Sequence, residues 1–387
     1  MTFEEREKFM KYAVLIFGAM ADRTMPDNNN ITPLSSADKP CLDELVKYSE
    51  IGLTKTSESA DRYSVEKSVF SLFGYDPKLD FRGSAVLYAS GIGIISEKDD
   101  VIFKCSFVKL SDEEIYEEKK MLSEFMPVDE LDDIFKELCE SFNNNIFEFV
   151  RKDDNIFLIW KHGELYAGDF SSPNEAVSRC IAEHLPKGDF AQPIYNIMKK
   201  SCDVLKNHSV DSLWIWGESA VYDIESFRDK FGLECCVVTD SDYVRGMAGY
   251  MKAEVVPCRE NVSETILEKL NENDIVFLYS DRLYESSLSG DFEMKTKVIS
   301  DFDKDIVQPV FEGLKKTGED FGLMAVSDIA VPVHLKRISS EPVPYLIYKS
   351  YDRKNSSASH FDENAAADSE HYIADSFELI KRLISRQ

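Results

Sequence analysis

The sequence predicts an α/β protein in which a doubly wound, mostly parallel β-sheet is interrupted by a smaller α+β insertion. Continuous apolar runs with the length of buried strands alternate with helical patterns, as in sheets covered on both faces. The middle of the chain differs, because there short strands alternate with acidic helices. With 387 residues the chain is long enough for two domains.

The apolar runs place the elements in chain order. We expect core strands at 12–17, 212–217, 235–239, 274–280, 322–328 and 343–348. Helices are expected at 263–273 and 303–316, and a last helix follows a polar loop at 351–370. The predicted division is a first core part at 1–82, an inserted substrate or cap-like domain at 83–207, and a second core part at 208–387.

Charge and composition exclude several classes of function. The formal net charge of −26 disfavours binding to nucleic acids and to anionic membranes, which are recognised with Lys and Arg. No apolar stretch is long enough for a membrane span, and the first residues lack the pattern of a signal peptide. Eight cysteines show no metal-binding spacing. We therefore expect an acidic cytoplasmic protein.

Residues 275–295 raise the question of chemistry. The strand "IVFLYS" is followed by "DRLYESSLSGDFEMK", and ligands of open α/β sheets normally bind in loops of this kind. The loop offers Tyr, Ser and Leu, with no His and only two acids before "GDFEMK". It has the frame of an active-site loop with few residues suited to catalysis.

Motifs along the whole chain resemble those of one known family. "YAVLIFGAMAD", "SLFGYDP", "DVIFKCSFV", "SLWIWGES", "GDFEMKTKVISDFDKDIVQPVFEGL" and "EPVPYLIY" occur in the order found in the archaeal-type, cofactor-independent phosphoglycerate mutases of the alkaline phosphatase superfamily. The resemblance implies an alkaline-phosphatase-like core with an inserted substrate domain. It also implies two divalent ions, usually manganese or zinc, and a serine that takes and returns the phosphoryl group.

Most metal-ligand positions implied by the resemblance carry other residues in this chain. Asp328 is the one ligand position that is retained. Apolar, aromatic or glycine residues, which are not metal ligands, stand at the others. These lost positions are Gly18, Tyr284, Leu288, Ile329 and Ile338, where the family has Asp, Asp, His, His and His respectively.

The nucleophile and the substrate arginines are also weakly represented. Val65 aligns with the catalytic serine without a gap, and a one-residue slip reaches Ser64, which also suits a helix N-cap. Lys104 keeps a positive charge at an arginine position. The remaining substrate positions are occupied by Ser84, Tyr88, Asn155 and Ile156.

These losses favour a degenerate relative without metal-dependent phosphotransfer, acting as a binding or regulatory scaffold with no cofactor. Such a protein would form a homo-oligomer, pair with an active relative, or hold a small-molecule ligand of unknown identity. The alternative is an active 2,3-bisphosphoglycerate-independent mutase that interconverts 3- and 2-phosphoglycerate. It would need two Mn or Zn ions, Ser64 as nucleophile, and ligands rebuilt from Asp281, Glu285, Asp328 and His334.

Overall fold

A computed structural model describes residues 10–24, 30–57, 64–163, 170–188 and 191–386. The chain divides into two compact units, the larger made of residues 1–81 and 224–387 and the smaller of residues 82–223. Within the described residues, no helix is both long enough and apolar enough to span a bilayer. Residues 1–9, which contribute to the prediction that the chain has no signal peptide, lie outside the described part.

The described residues contain thirteen strands. In chain order these are β1 (Lys11–Phe17), β2 (Glu50–Thr54), β3 (Val101–Leu110), β4 (Met121–Glu124), β5 (Phe147–Lys152), β6 (Asn155–Trp160), β7 (Ser212–Ser219), β8 (Cys235–Val238), β9 (Glu254–Val256), β10 (Ile275–Ser280), β11 (Phe321–Ser327), β12 (Val343–Lys349) and β13 (Tyr372–Ile373).

Sixteen α-helices accompany them in the same part of the chain. They are α1 (Pro33–Ser36), α2 (Pro40–Leu45), α3 (Ser64–Leu72), α4 (Pro77–Asp80), α5 (Ala85–Gly91), α6 (Leu131–Phe142), α7 (Pro173–Ala176), α8 (Gln192–Leu205), α9 (Phe227–Phe231), α10 (Asp242–Tyr250), α11 (Val262–Glu272), α12 (Tyr284–Ser289), α13 (Phe292–Phe302), α14 (Gln308–Thr317), α15 (Glu363–Asp368) and α16 (Glu378–Ile384). A π-helical turn at Asp303–Val307 joins α13 to α14.

The larger unit is built on an eight-stranded sheet in the order β13-β2-β12-β11-β1-β10-β8-β9. The four pairs β11–β1, β1–β10, β10–β8 and β8–β9 are parallel, and so is the pair β13–β2. Every residue of β10 and β11 is buried, as expected for strands covered on both faces. The predicted α/β class with a mostly parallel sheet is confirmed.

Strand β12 corrects one detail of the prediction. The run at 343–348 was expected as a parallel strand, but β12 is antiparallel to both β11 and β2. All seven residues of β12 are buried. A continuous apolar run shows that both faces of a strand are covered, and it does not show the direction of the neighbouring strand.

The smaller unit contains a five-stranded antiparallel sheet, in which β3 pairs with β4, β6 and β7 and β5 pairs with β6. The prediction for 212–217 was wrong, because β7 belongs to this sheet and not to the core sheet. It is buried along almost its whole length, so its pattern resembles that of a core strand. The smaller unit therefore extends to residue 223, whereas the predicted insertion ends at 207.

Two polar residues explain local features of the larger unit. The Asp303 carboxylate, fully buried in the π-helical turn, accepts hydrogen bonds from the backbone N–H groups of Cys41 (2.9 Å) and Leu42 (2.8 Å) at the start of α2. The segment expected as a loop at 351–370 contains α15, whose N-cap Asp362 accepts from the Ala365 N–H. The cap and the alanines of α15 outweigh the polar composition of the segment.

Candidate functional site

The carboxyl ends of three neighbouring parallel strands place the candidate site. Strands β1, β10 and β11 end at Phe17, Ser280 and Ser327, so the segments that follow them meet at one edge of the sheet. The Gly18 N–H donates to the Ser280 carbonyl oxygen at 2.7 Å, and Asp328 follows β11 directly. This edge is where the resemblance implies metal ligands.

Asp328 is completely buried and is surrounded by hydrogen-bond donors. Its Oδ1 accepts from the backbone N–H groups of Ala19 (2.8 Å) and Ile329 (2.5 Å). Its Oδ2 accepts from the hydroxyls of Tyr284 (2.8 Å) and Tyr279 (3.2 Å). A carboxylate has about four acceptor sites, so these four donors occupy the acceptor capacity of Asp328.

Burial governs the ionisation of this group of residues. It raises the pKa of Asp328 to about 6, while the four hydrogen bonds act in the opposite direction. The pKa values of Tyr279 and Tyr284 lie well above the usual range for tyrosine, because of burial first and then of the neighbouring Asp328 charge. Both tyrosines therefore remain protonated near neutral pH and act as donors.

Gly18 and Tyr284 fit each other at two of the lost ligand positions. A Cβ atom placed on Gly18 would lie 2.8 Å from Cε2 of Tyr284 and 3.2 Å from the Tyr279 hydroxyl oxygen. The Tyr284 ring thus fills space that a side chain at position 18 would need. Gly18, Tyr279, Tyr284 and Asp328 form what we call the Asp328 cluster.

The three other lost positions supply no ligand. Ile329 is fully buried and contributes its backbone N–H to Asp328. Ile338 packs against the apolar core of the larger unit. Leu288, on α12, is 47% exposed. Hydrophobic side chains at these places cannot replace imidazole ligands.

The residues from which a metal site would have to be rebuilt differ from Asp328 in their burial. Asp281, Glu285 and His334 are exposed, whereas Asp328 is fully buried. Among the residues that the structure describes, no group of three or more His, Cys, Asp or Glu side chains could hold a metal ion. The donor set at this edge, one carboxylate saturated by four donors, does not fit a two-metal centre.

Ser64 is the first residue of α3 and is half-buried. Two residues later Glu66 is buried, and its charge is a minor cause of the raised pKa of Tyr284, after burial and the charge of Asp328. Ser64 as a nucleophile stays a prediction.

Lys104 lies on β3 in the smaller unit and is half-buried. Its ammonium group lies 3.7 Å from the centre of the Tyr88 ring and 5.5 Å from that of Trp216, which are cation–π distances. Tyr88 stands where the resemblance implies a glutamate, so an aromatic ring lies beside the remaining positive charge. Its role in substrate binding stays a prediction.

A second buried group was missed by the sequence reasoning. The Lys295 ammonium, on α13, is completely buried, donates to Asp22 Oδ2 at 3.0 Å, and donates to the carbonyl oxygens of Ala21 and Val331. Burial lowers the pKa of Lys295, and the charge of Asp22 opposes that shift. A signal was available, since Lys295 shares a helical face with the buried Ile299 and Phe302.

Glu363 completes this second group. Its Oε1 accepts from the Asp22 N–H at 2.9 Å, and its Oε2 accepts from the Thr32 hydroxyl at 2.7 Å. Burial raises the pKa of Glu363 to about 7. We call Asp22, Thr32, Lys295 and Glu363 the Lys295 cluster.

Comparison with known sequences identifies the relatives of the chain. Residues 47–211 match the family model described as 2,3-bisphosphoglycerate-independent phosphoglycerate mutase. A Geobacter sulfurreducens protein named as a probable enzyme of this kind is 26% identical, and the alignment covers 97% of this chain and 100% of that protein. The mutase of Methanosarcina barkeri is 27% identical, with 92% of this chain and 95% of the relative covered.

Two solved structures have the same fold. A Pyrococcus horikoshii protein superposes with a TM-score of 0.75 at 18% identity, covering 98% of both chains. The cofactor-independent phosphoglycerate mutase of Thermoplasma acidophilum gives a TM-score of 0.56 at 19% identity, covering 97% of this chain and 99% of that chain. Sequence relatives and fold agree with the resemblance in the motifs: the chain is similar, over nearly its whole length, to proteins named as 2,3-bisphosphoglycerate-independent phosphoglycerate mutases.

Proposed function

We propose that this chain has lost metal-dependent phosphoryl transfer and acts as a binding or regulatory protein built on the mutase scaffold. The observation that supports this most directly is the saturation of Asp328 by four hydrogen-bond donors, two of them tyrosine hydroxyls. A divalent ion would have to displace those tyrosines. It would then find one carboxylate where a dinuclear centre needs ligands for two ions.

The fit between Gly18 and Tyr284 supports the same proposal. A simple loss of ligands would leave a polar cavity, whereas here the ring at one lost position fills the space next to another. The Asp328 cluster is therefore a packed and hydrogen-bonded core element. On this proposal the strands, turns and helices around it persist because the fold needs them for packing.

The residues of the smaller unit also agree with a protein that no longer binds phosphoglycerate through arginine side chains. Ser84, at an arginine position, is fully buried, and its hydroxyl has no partner among the described residues. Lys104 lies against Tyr88 and Trp216. A point charge held by aromatic rings does not reproduce the bidentate hold of guanidinium on phosphate. A homo-oligomer, or a complex with an active relative, is the form of action we propose.

An active mutase is the second candidate, and the names of the full-length relatives favour it. The two candidates are separated by an assay of 3-phosphoglycerate conversion to 2-phosphoglycerate with added Mn²⁺ or Zn²⁺, using the Methanosarcina barkeri relative as positive control. We expect no turnover above the protein-free rate, from a sample that unfolds cooperatively. Metal-dependent turnover removed by a chelator would overturn the proposal.

A further inference from the structure

A small cavity of the larger unit has a composition that points to a ligand. It has a volume of about 100 Å³ and lies beside the end of β2, α3, the start of α4 and the segment before α16. This volume accommodates several water molecules or one small anion. None of its lining residues belongs to the Asp328 cluster or the Lys295 cluster.

Four hydroxyl residues line this cavity, and each is more than nine-tenths buried. They are Thr56, Ser57, Ser71 and Ser376. The hydroxyl oxygens of Ser71 and Ser376 lie 2.6 Å apart and share a hydrogen bond. The Thr56 hydroxyl is buried and has no hydrogen-bond partner among the described residues. Buried hydroxyls in proteins are normally paired, so a site with an unpaired one is incomplete without a ligand or water.

Three lysines line the same cavity: Lys55, Lys67 and Lys78. Two acids line it as well, Asp76 and Asp375. One Asp76 oxygen accepts from the Lys78 backbone N–H at 2.9 Å as the N-cap of α4, and Asp375 is exposed. In a chain of net charge −26, a lining with three lysines and two acids is locally positive, although Lys78 is exposed.

We propose that this cavity binds a small oxyanion carrying two negative charges, the phosphate group of a soluble ligand. Lysines supply the charge, and buried hydroxyls supply neutral donors that fix the orientation of the oxygens. The inference goes beyond the proposed function, because the cavity shares no residue with the Asp328 cluster. It would hold whether or not the protein binds metal.

The experiment is calorimetric titration of the full chain, stripped of metals and dialysed, with sodium phosphate at constant ionic strength. Sodium chloride is the control titrant. We expect saturable binding of one phosphate. Thr56→Val keeps the shape of the side chain and removes the hydroxyl, and Lys78→Met removes a charge. Each is expected to weaken phosphate binding by about tenfold or more, whereas Lys297→Met, at an exposed lysine of α13, should bind like the unmodified chain.

Thr56→Val also distinguishes a loss of binding from a folding defect. Since the hydroxyl it removes has no partner among the described residues, the variant should melt no lower than the unmodified chain without phosphate. Absence of saturable phosphate binding would overturn the proposal. Binding that both Thr56→Val and Lys78→Met leave unchanged would also overturn it. Neither outcome concerns metal binding, so failure here is distinct from failure of the proposed function.

If binding is found, a second titration with a phosphate monoester such as glycerol phosphate identifies the source of the group. Tighter binding of the monoester than of inorganic phosphate would indicate a phosphorylated metabolite. Equal or weaker binding would indicate free phosphate. The same Thr56→Val loss is expected in both cases, because the phosphate group makes the contacts.

Discussion

The Asp328 cluster and the Lys295 cluster lie in the same unit, and each buries a carboxylate, Asp328 in the first and Asp22 in the second. The two clusters satisfy the hydrogen-bonding capacity of that carboxylate in different ways. Asp22 faces the ammonium group of Lys295, whereas Asp328 faces hydroxyl and backbone donors without a formal positive charge. The comparison teaches that a buried carboxylate can be stabilised either with a paired ammonium group or by uncharged hydrogen-bond donors alone.

The two clusters also differ in what they hold together. Lys295 joins α13 to the carbonyl oxygens of Ala21 and Val331, so it ties together the segments that follow β1 and β11. The Asp328 cluster fills the space between the ends of β1, β10 and β11. The Lys295 cluster therefore connects the segments that follow the strands, and the Asp328 cluster packs the space between the strand ends. Changes in the two clusters should have effects of different size.

The largest effect is expected for Lys295→Met. Removing the ammonium group leaves the Asp22 carboxylate buried without its cation, a change that typically costs about 3–5 kcal/mol. The free energy of unfolding from urea denaturation measures it. The matched control is Lys297→Met, two residues along the same helix at an exposed site, which should change stability by less than about 0.5 kcal/mol. An equal loss of unfolding free energy in the two variants would show that the Lys295–Asp22 ion pair does not stabilise the fold.

The Lys295 cluster should also make stability depend on pH through Glu363. Its pKa is raised by burial from 4.5 to about 7, so the folded state binds a proton more tightly than the unfolded state. The stability contributed by the protonated group is fully present below about pH 4.5 and is lost as the pH rises through 7. The loss amounts to at most about 3 kcal/mol.

Glu363→Gln should remove this component. Urea denaturation between pH 4.5 and 8 would then give a flatter curve for the variant than for the unmodified chain. Glu285→Gln, at an exposed glutamate, should leave the curve unchanged. A variant curve as steep as that of the unmodified chain would assign the pH dependence to other groups.

The third prediction concerns the fit between Gly18 and Tyr284. Gly18→Ala should destabilise the fold by about 2 kcal/mol, because its Cβ would meet the Tyr284 ring and the Ser280 carbonyl. In Gly18→Ala/Tyr284→Ala the ring is absent. The double variant should therefore be more stable than the sum of the single effects predicts, by about 1 kcal/mol. Additive effects would mean that the ring does not occupy the space next to Gly18.

The smallest effect is expected for Tyr284→Phe. It keeps the ring and removes one hydroxyl donor from Asp328, so the expected loss is about 1.5 kcal/mol, typical of a hydrogen bond to a charged group. Thermal unfolding measures it. Tyr372→Phe, at a tyrosine that is 54% exposed, is the control and should be close to neutral. Unchanged stability of Tyr284→Phe would contradict the proposal that tyrosine hydroxyls stabilise Asp328 in place of metal ions.

Much of the fold could be predicted from the sequence, and so could the residues at the ligand positions that the resemblance implies, because both depend on local patterns. The apolar runs predicted five strands of the core sheet, β1, β8, β10, β11 and β12, whereas the short strands β2, β9 and β13 were not predicted. The sheet that contains β7 could not be predicted this way. Its residues are apolar on both faces, and only the pairing with β3 decides the sheet to which it belongs.

The features that could not be predicted from the sequence depend on contacts between residues far apart in the chain. Tyr284 was recognised as a lost ligand, but its position against Gly18, 266 residues earlier, is a tertiary contact with no local pattern. The same holds for Lys295 with Asp22 and for the cavity at Thr56, whose lining residues come from both ends of the chain. Local reasoning identifies which residues changed, and the structure is needed to see what now occupies their space.

The measurement that tests the central claim most directly is calorimetric titration of the chelator-stripped protein with Mn²⁺ and Zn²⁺ near neutral pH. A variant with the five ligand residues that the resemblance implies, Gly18→Asp, Tyr284→Asp, Leu288→His, Ile329→His and Ile338→His, serves as the control for metal binding on this scaffold. We predict no stoichiometric binding by the unmodified chain and a gain of binding in the variant. Binding of two ions at micromolar affinity or better by the unmodified chain would contradict the account.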